Sequence, residues 1–432
     1  MGPAKVRTGM STGADIAREA GHDSWQAPAS GPLSGQRVLD LTRSLSGPFA
    51  TQILADLGAT VIKVEEVAAG DSTRNGGPFH ASDVEHAHSG YFHSVNRNKR
   101  GIAIDLKTAE GKALILRLVD ECDIVVENFR VGVMEKLGLG YEVLCERNPR
   151  LIYAAIRGFG DPRSGRSDYV NWPAFDVVAQ AMGGICGVTG AEGGEPTKVG
   201  PGIGDIVPGM YLSIGILAAV IERQRTNQGQ FVDVAMTDAI LAITERIVYQ
   251  RSFGDKLAGL VGNHQPYAVP FGLFPAKDGS IAICAPQDHF FRDLAIGLDA
   301  PELLQEPRYA TLQLRSAARE ELIEKISGLT RNFTKAELRE RLGGKIPLGP
   351  VYTMADIEAD EHFRVRNMLP ELDLPGVEKP LAVAGSPIRM SGTPEQTYRR
   401  GPSIGEDTDA ILEAVGYSAN ERARLRAEGV VR

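Results

Sequence analysis

The run Gly202-Ile203-Gly204-Asp205 places a carboxylate among glycines just before the long apolar segment Met210 to Ile221. Two readings fit it about equally. The carboxylate can cap a helix, accepting from the backbone N–H groups that the first turn leaves free. Alternatively, the glycines admit other backbone or a ligand, and a carboxylate so approached can act as nucleophile or base. Gly187, Gly190, Gly193, Gly194 and Gly200 extend the permissive stretch upstream. A second group, Asn128, Phe129 and Arg130, follows the apolar run Ile124 to Val126. An amide, an aromatic face and a guanidinium at a strand end can hold a nucleotide and its phosphates, or can simply turn the chain. The basic stretch Asn96-Arg97-Asn98-Lys99-Arg100, with Lys107 and Lys136, is either a solvated surface run or a seat for an anion.

Four of the eight histidines, His80, His86, His88 and His93, fall within one short segment. The residues between them are small and polar and lack a helical H-E-x-x-H spacing, so an exposed loop without metal is expected. Cys122, Cys145, Cys186 and Cys284 form no C-x-x-C pair, and reduced thiols are the expectation. No G-x-G-x-x-G follows the first strand, where the turn reads TRSLSGP, which argues against a nicotinamide or flavin site. The P-loop pattern and the G-x-S-x-G elbow are absent too, which argues against a P-loop NTPase and the simplest serine hydrolase.

These residues need a scaffold, and the hydrophobic pattern supplies one. RVLDLT, then a helical stripe through Phe49, Ile53, Leu54 and Leu57 ending at Gly58, then VIKVE, read as strand, helix, strand. GIAIDLK, a helix that Thr108 can cap, and DIVVENF repeat the unit, and RLIYAAIRGFG adds a strand. The fold class is therefore α/β: a Rossmann-like domain with a parallel sheet and ligand sites at strand C-terminal ends. A buried helix from Met210, the strand FVDVAM and a long helix Asp238 to Arg251 follow. From residue 254 the pattern changes to short strands and helices around residues 290–296 and 316–341, a smaller α+β domain. The expected layout is a flexible extension over 1–31, the first part of the large domain over 32–253, the small domain over 254–350, and a C-terminal segment 351–432 that completes the large domain and ends in a helix near 408–415.

With 47 Lys plus Arg against 55 Asp plus Glu the net charge is −8, and no long basic run breaks it, so a nucleic-acid partner is not expected. No apolar run reaches the ~18 residues of a spanning helix, so no membrane partner is expected either. The first thirty residues do not read as a secretory peptide. Free thiols then favour a cytoplasmic enzyme or binding protein.

The ordered motifs L-S-G-x-R-V-L-D-L-T-R-x-x-x-G-P, L-A-D-L-G-A-x-V-I-K-V-E, N-R-N-K-R-G-I-A-I-D-L-K-T-x-E-G, D-I-V-V-E-N-F-R, N-P-R-L-I-Y, G-D-x-x-x-G-M, G-Q-x-V-D-V-A-M-x-D-A and G-E-D-T-D resemble those of the class III CoA-transferases, the formyl-CoA transferase (CaiB-BaiF) group, from Pro32 onward. The resemblance implies a homodimer of two interlocked protomers, a heteromer with a paralogous subunit being the alternative. It implies acyl-CoA and a small organic acid as substrates, with no tightly bound cofactor. By similarity, Asp205 is the nucleophile that attacks the acyl-CoA thioester, giving first an aspartyl mixed anhydride and then an aspartyl-CoA thioester that the acceptor acid attacks. Holding the carboxylate beside the thioester splits a difficult exchange into easier covalent steps. CoA contacts map by similarity onto Ser46, Ile104, Lys107, Asn128, Phe129, Arg130 and Lys136, with Phe175 and Asp176 near the thioester end. Leu45 aligns with a residue that handles the acyl group, and the substrate loop Gly262, Asn263, His264 and Gln265 aligns with a glycine-rich loop that covers the active site.

Three departures bear on specificity. The formyl-CoA transferases carry Gln at the position of Leu45, Arg at that of Glu66 and a run of glycines where this chain has Gly262-Asn263-His264-Gln265. The first points to a larger or more apolar acyl group than formyl or oxalyl, with a succinyl-type donor favoured; the other two bear on the adenine-end contact and on the mobility of the loop. The α-methylacyl-CoA racemases share the fold but use a His with the Asp as an acid–base pair, and Phe175 stands at the position of that His. A catalytically silent CoA-binding subunit is the third reading, and a dinucleotide-dependent oxidoreductase is disfavoured by the missing glycine fingerprint.

Overall fold

The structure, a computed structural model, describes residues 31–393 and 397–432. Apart from residue 31, the expected N-terminal extension lies outside the described residues. Six strands form one sheet: β1 (Arg37–Asp40), β2 (Thr60–Glu65), β3 (Arg100–Ala103), β4 (Ile124–Glu127), β5 (Ile152–Arg157) and β6 (Phe231–Ala235), in spatial order β3-β2-β1-β4-β5-β6. Every pairing is parallel. β2, β4 and β5 are buried along their whole length, as the near-continuous apolar runs require when both faces are covered. The chain also forms α1 (Ser46–Asp56), α2 (Gly90–Asn96), α3 (Ala109–Glu121), α4 (Val133–Leu137), α5 (Tyr141–Arg147), α6 (Asp176–Met182), α7 (Ile203–Thr226), α8 (Met236–Ile243) and α9 (Glu245–Gly254). Thr108 caps α3 as expected, its hydroxyl accepting from Gly111 N at 2.9 Å.

The strand order changes direction at β1, which has β2 on one side and β4 on the other. In such sheets the loops leaving these two strands diverge and open a crevice at the C-terminal edge. Buried charges lie under it. Lys99 donates to Asp40 Oδ2 at 2.9 Å, and Lys63 donates to Asp71 Oδ2 at 2.9 Å and to Thr42 O at 3.0 Å, all from fully buried ammonium groups. Asp40 also accepts from Thr42 N, and Asp71 from Ser44 N, so the network pins the chain that leaves β1.

The described residues divide into two compact units. The first holds those up to Ala179, with Gly202–Ala239 and Met368–Arg432; the second holds Gln180–Pro201 and Ile240–Asn367. In the first, Ile411, Leu412 and Leu425 from α16 (Thr408–Ala414) and α17 (Ala419–Ala427) share one core with Ile62 and Ile102 of the sheet and Leu114, Ile115 and Leu118 of α3. The second has an antiparallel sheet of β7 (Phe271–Ala276), β8 (Gly279–Cys284) and β9 (Leu348–Pro350). Around it lie α10 (Asp288–Gly297), α11 (Leu312–Ala317), α12 (Arg319–Thr330) and α13 (Lys335–Leu342), followed by α14 (Met354–Ala359) and α15 (Glu361–Val365). Phe274, Ile281, Ile283, Phe291, Leu294, Leu322, Ile326 and Leu338 make its core.

Three local expectations are corrected. The long helix expected over 238–251 is interrupted at Thr244, whose hydroxyl bonds back to Ile240 O at 2.6 Å. The helical region 316–341 is three helices, parted at Ala318 and over 331–334. The apolar helix expected to be buried from Met210 is buried on one face only. Leu212, Ser213, Ile216 and Ala219 point inward, whereas Met210, Ile214 and Ile221 are exposed.

Candidate active site

The crevice at the sheet switch point encloses about 200 Å3. The loop after β1 contributes Arg43 to Ser46, the loop after β4 contributes Asn128 to Val131, and Phe175, Asp205 and Met236 complete the wall. Arg43 N donates to Asn128 Oδ1 at 2.9 Å, and Asn128 Nδ2 returns a bond to Arg43 O at 2.8 Å. Asn128 therefore clamps the two loops together, its amide used on backbone. The Arg43 guanidinium lies 5.2 Å from the centre of the Phe129 ring, and Phe129 N donates to Glu127 Oε2 at 2.7 Å. Glu127 is buried, and that burial pushes its pKa up to about 7 against the pull of Arg157.

Asp205 stands in the first turn of α7, and close backbone packing holds it there. A Cβ on Gly204 would fall 2.3 Å from Asp176 O, so only glycine lets this turn lie against α6. Gly204 N donates to Asp176 Oδ1 at 2.8 Å. Gly202 lies beside Leu45, whose Cδ2 is 3.1 Å from where a Cβ would stand. One turn after Asp205, a Cβ on Gly209 would fall 2.7 Å from Ser46 O, so α7 rests directly on the start of α1. Asp205 and Gly209 share a helix face, and Ser46 and Asp205 line the same crevice. The Ser46 hydroxyl is buried and, among the described residues, has no hydrogen-bond partner.

Burial, and secondarily the negative charge of Asp176, raise the Asp205 pKa from 3.8 to about 7. Tyr91 on α2 lies close enough to Asp205, Asp71 and Asp176 that their charges, added to burial, raise its phenol pKa. Sequence reasoning missed Tyr91, because α2 is seven residues long and follows a polar loop. The crevice thus presents a partly desolvated carboxylate of high basicity, an unsatisfied hydroxyl, an apolar wall at Leu45 and guanidinium groups at its mouth.

The expected residues do not all meet there. Leu45, Ser46, Asn128, Phe129, Arg130, Phe175 and Asp205 line the crevice, and Asp176 stands behind Asp205. Ile104 is in the core of the first unit, so only its backbone remains for contact with a ligand. Lys107 and Lys136 are exposed and outside the crevice lining. Gly262, Asn263 and His264 line a separate cavity within the second unit, and Gln265 N donates to Phe271 O at 2.8 Å. The histidine segment is not simply an exposed loop. His88 and His93 are buried and hydrogen-bonded to each other at 3.3 Å, with Gly401 N donating to His93 Nδ1 at 3.1 Å. Burial and the neighbouring His88 drop the His93 pKa to about 3. Among the described residues no group of three or more His, Cys, Asp or Glu side chains is placed to hold a metal ion.

A profile of CoA-transferase family III matches residues 33–408. Succinyl-CoA:mesaconate CoA-transferase of Haloarcula hispanica is 43% identical over 386 residues, which cover 89% of this chain and 97% of that protein. Succinyl-CoA:glutarate CoA-transferase of Homo sapiens is 36% identical over 404 residues, covering 93% of this chain and 90% of that protein. The crystal structure of a CaiB/BaiF family protein from Brucella suis superposes with a TM-score of 0.79 at 37% identity, covering 89% of this chain and all of the other.

Proposed function

The chain belongs to CoA-transferase family III and is an acyl-CoA:carboxylate CoA-transferase; from that premise we propose that it takes CoA from succinyl-CoA and passes it to a small carboxylic acid through covalent intermediates on Asp205. One observation carries the residue assignment: Asp205 shares the switch-point crevice with Leu45, Ser46 and the Asn128 to Arg130 loop. Relatives named as succinyl-CoA transferases toward mesaconate and glutarate support the donor. The apolar Leu45 at the crevice wall supports an acyl chain longer than formyl.

In the first step an Asp205 carboxylate oxygen attacks the thioester carbonyl carbon, the C–S bond breaks, and CoA leaves as the thiolate. The thiolate then attacks the Asp205 carbonyl carbon of the mixed anhydride, expelling succinate and leaving an aspartyl-CoA thioester. The acceptor carboxylate attacks that thioester, again releasing thiolate. Return of the thiolate to the acceptor's acyl carbon forms the new CoA thioester and frees Asp205. A carboxyl with its pKa near 7 is a stronger nucleophile, once ionised, than an ordinary aspartate, and needs less desolvation before attack. Each addition places negative charge on a carbonyl oxygen. We assign the role of stabilising that charge to the Ser46 hydroxyl at the N-terminus of α1, which turns from its buried, unpartnered position into the crevice that Ser46 lines. Arg43 and Arg130 at the crevice mouth, with exposed Lys136, supply positive charge for the CoA phosphates. Phe175, standing where the racemases carry His, has no proton to move, which favours transfer over racemisation.

The expected oligomer is a homodimer with interlocked protomers. The outward Met210, Ile214 and Ile221 stripe of α7 is the kind of exposed apolar face that a second copy covers. Ile214→Glu should shift the mass measured by light scattering toward the monomer, and an unchanged mass would remove this face from the interface.

The central assignment is tested by intact-protein mass spectrometry after incubation with succinyl-CoA, with hydroxylamine to capture the activated carboxyl as a hydroxamate. A CoA-sized adduct or a hydroxamate at Asp205, absent from Asp205→Asn, is expected. No adduct with succinyl-CoA or other acyl-CoAs would overturn the covalent route.

A further inference from the structure

A cavity of about 890 Å3 lies wholly within the second unit. Arg319, the first residue of α12, is on its wall, with the Val261 to His264 loop opposite. The Arg319 side chain is only 19% exposed, yet its Nε is buried without a partner, and among the described residues the guanidinium makes no hydrogen bond. Its one ionic contact is to Glu192 Oε2 at 3.5 Å, longer than a charge-assisted hydrogen bond, and the Glu192 side chain is 66% exposed. Arg315, four residues earlier, is the contrast. Its two terminal nitrogens donate to Tyr309 O, Pro286 O and Asp288 Oδ1, so although its Nε is likewise buried without a partner, the fold occupies both arms of the neighbouring fork, and those of Arg319 make no hydrogen bond among the described residues. A cation at a helix N-terminus also opposes the helix dipole. A mostly buried guanidinium whose Nε has no partner and whose ion pair is long costs stability, and an anionic ligand would offset that cost.

His264 is fixed beside it. A Cβ on Gly272 would fall 2.3 Å from His264 Nδ1, so the ring lies flush on a glycine, and it meets Phe274 edge-on at 4.9 Å. Burial and the charge of Arg319 lower the His264 pKa, so the ring is neutral near pH 7 and offers hydrogen bonds rather than charge. Asn263 is exposed and also lines this cavity. Glu320 and Glu324 add negative charge to the exposed rim, which disfavours a dense polyanion such as phosphate.

We propose that this cavity is a binding site for one carboxylate of a small organic acid, gripped by the Arg319 guanidinium in place of Glu192, with Asn263 and His264 completing the polar wall. The proposal rests on the CoA-transferase reading only in taking the ligand from the class of that reaction's acids.

Binding is read without turnover in full-length Asp205→Asn, by titrating 13C-labelled succinate by NMR and calorimetry. Succinate is expected to bind this variant. Adding Arg319→Met should weaken binding 10-fold or more, whereas Arg319→Lys, which keeps the charge without the fork, should give an intermediate loss. Circular dichroism and thermal melting establish that each variant is folded. Equal affinity in the Arg319→Met and parent proteins, no succinate binding to the parent, or displacement of succinate by equimolar inorganic phosphate would each overturn the proposal. Failure of the nucleophile assignment shows separately, as a missing hydroxamate in the wild-type protein.

Discussion

Replacing Asp205 by Asn should abolish transfer and stabilise the protein, and the stabilisation should grow with pH. The folded protein holds the carboxyl near pKa 7, against 3.8 as an ordinary side chain, because burial and the charge of Asp176 both oppose ionisation. Below about pH 4 the group is protonated in both folded and unfolded chains and contributes nothing. Between about pH 4 and pH 7 the unfolded chain releases the proton while the folded one retains it, so stability falls as pH rises, and the full penalty is reached above pH 7. A displacement of roughly three pH units corresponds to about 4 kcal/mol at most. The carboxyl is partly open to solvent, which screens it, and about 1–3 kcal/mol is the expected value. Asn is nearly isosteric and carries no such penalty. Urea denaturation of wild type and Asp205→Asn at pH 5, 6, 7 and 8 should show the variant gaining steadily on the wild type and leading by about 1–3 kcal/mol at pH 8. A difference independent of pH, or a variant less stable at pH 8, would refute the claim that the fold strains this carboxylate.

Three further outcomes follow from the same geometry. Ser46→Ala removes a hydroxyl with no protein partner, so stability should move by less than about 1 kcal/mol while the rate of the first acyl transfer, read by stopped-flow release of CoA thiol, falls about 100-fold; an unchanged rate would take Ser46 out of the chemistry. Gly204→Ala drives a methyl into Asp176 O, so it should cost about 2–4 kcal/mol in urea unfolding and suppress hydroxamate formation, and wild-type behaviour in both would contradict the close packing of α6 on α7. Lys63→Met leaves Asp71 buried without its ammonium partner and should destabilise by about 3–5 kcal/mol, an effect that Lys63→Met with Asp71→Asn should partly reverse.

The strand runs, the α1 stripe, the Thr108 cap and the placement of Asp205 at a helix entrance were legible in the amino-acid sequence, because each depends on neighbours within a turn or two along the chain. So was the position of the Asn128 to Arg130 loop at a strand end, since a parallel strand's edge follows from chain direction. How those residues are placed was decided by distant contacts. Asn128 is a clamp because Arg43, 85 positions away, comes back to it. Asp205 has a raised pKa because the surrounding packing takes away water and the charge of Asp176 opposes ionisation, which no local spacing reveals. The Ser46 hydroxyl is buried without a partner among the described residues, where α7 lies across the Ser46 backbone at Gly209. His88 and His93 look like polar loop residues until Pro375 O and Gly401 N meet them. The outward apolar face of α7 and the unsatisfied Arg319 are likewise invisible to composition. Hydrophobic periodicity says that a side chain is apolar or charged and which neighbours share its face; only the tertiary structure decides which of those groups are left without a partner, and unpartnered groups are where ligands and other chains can bind.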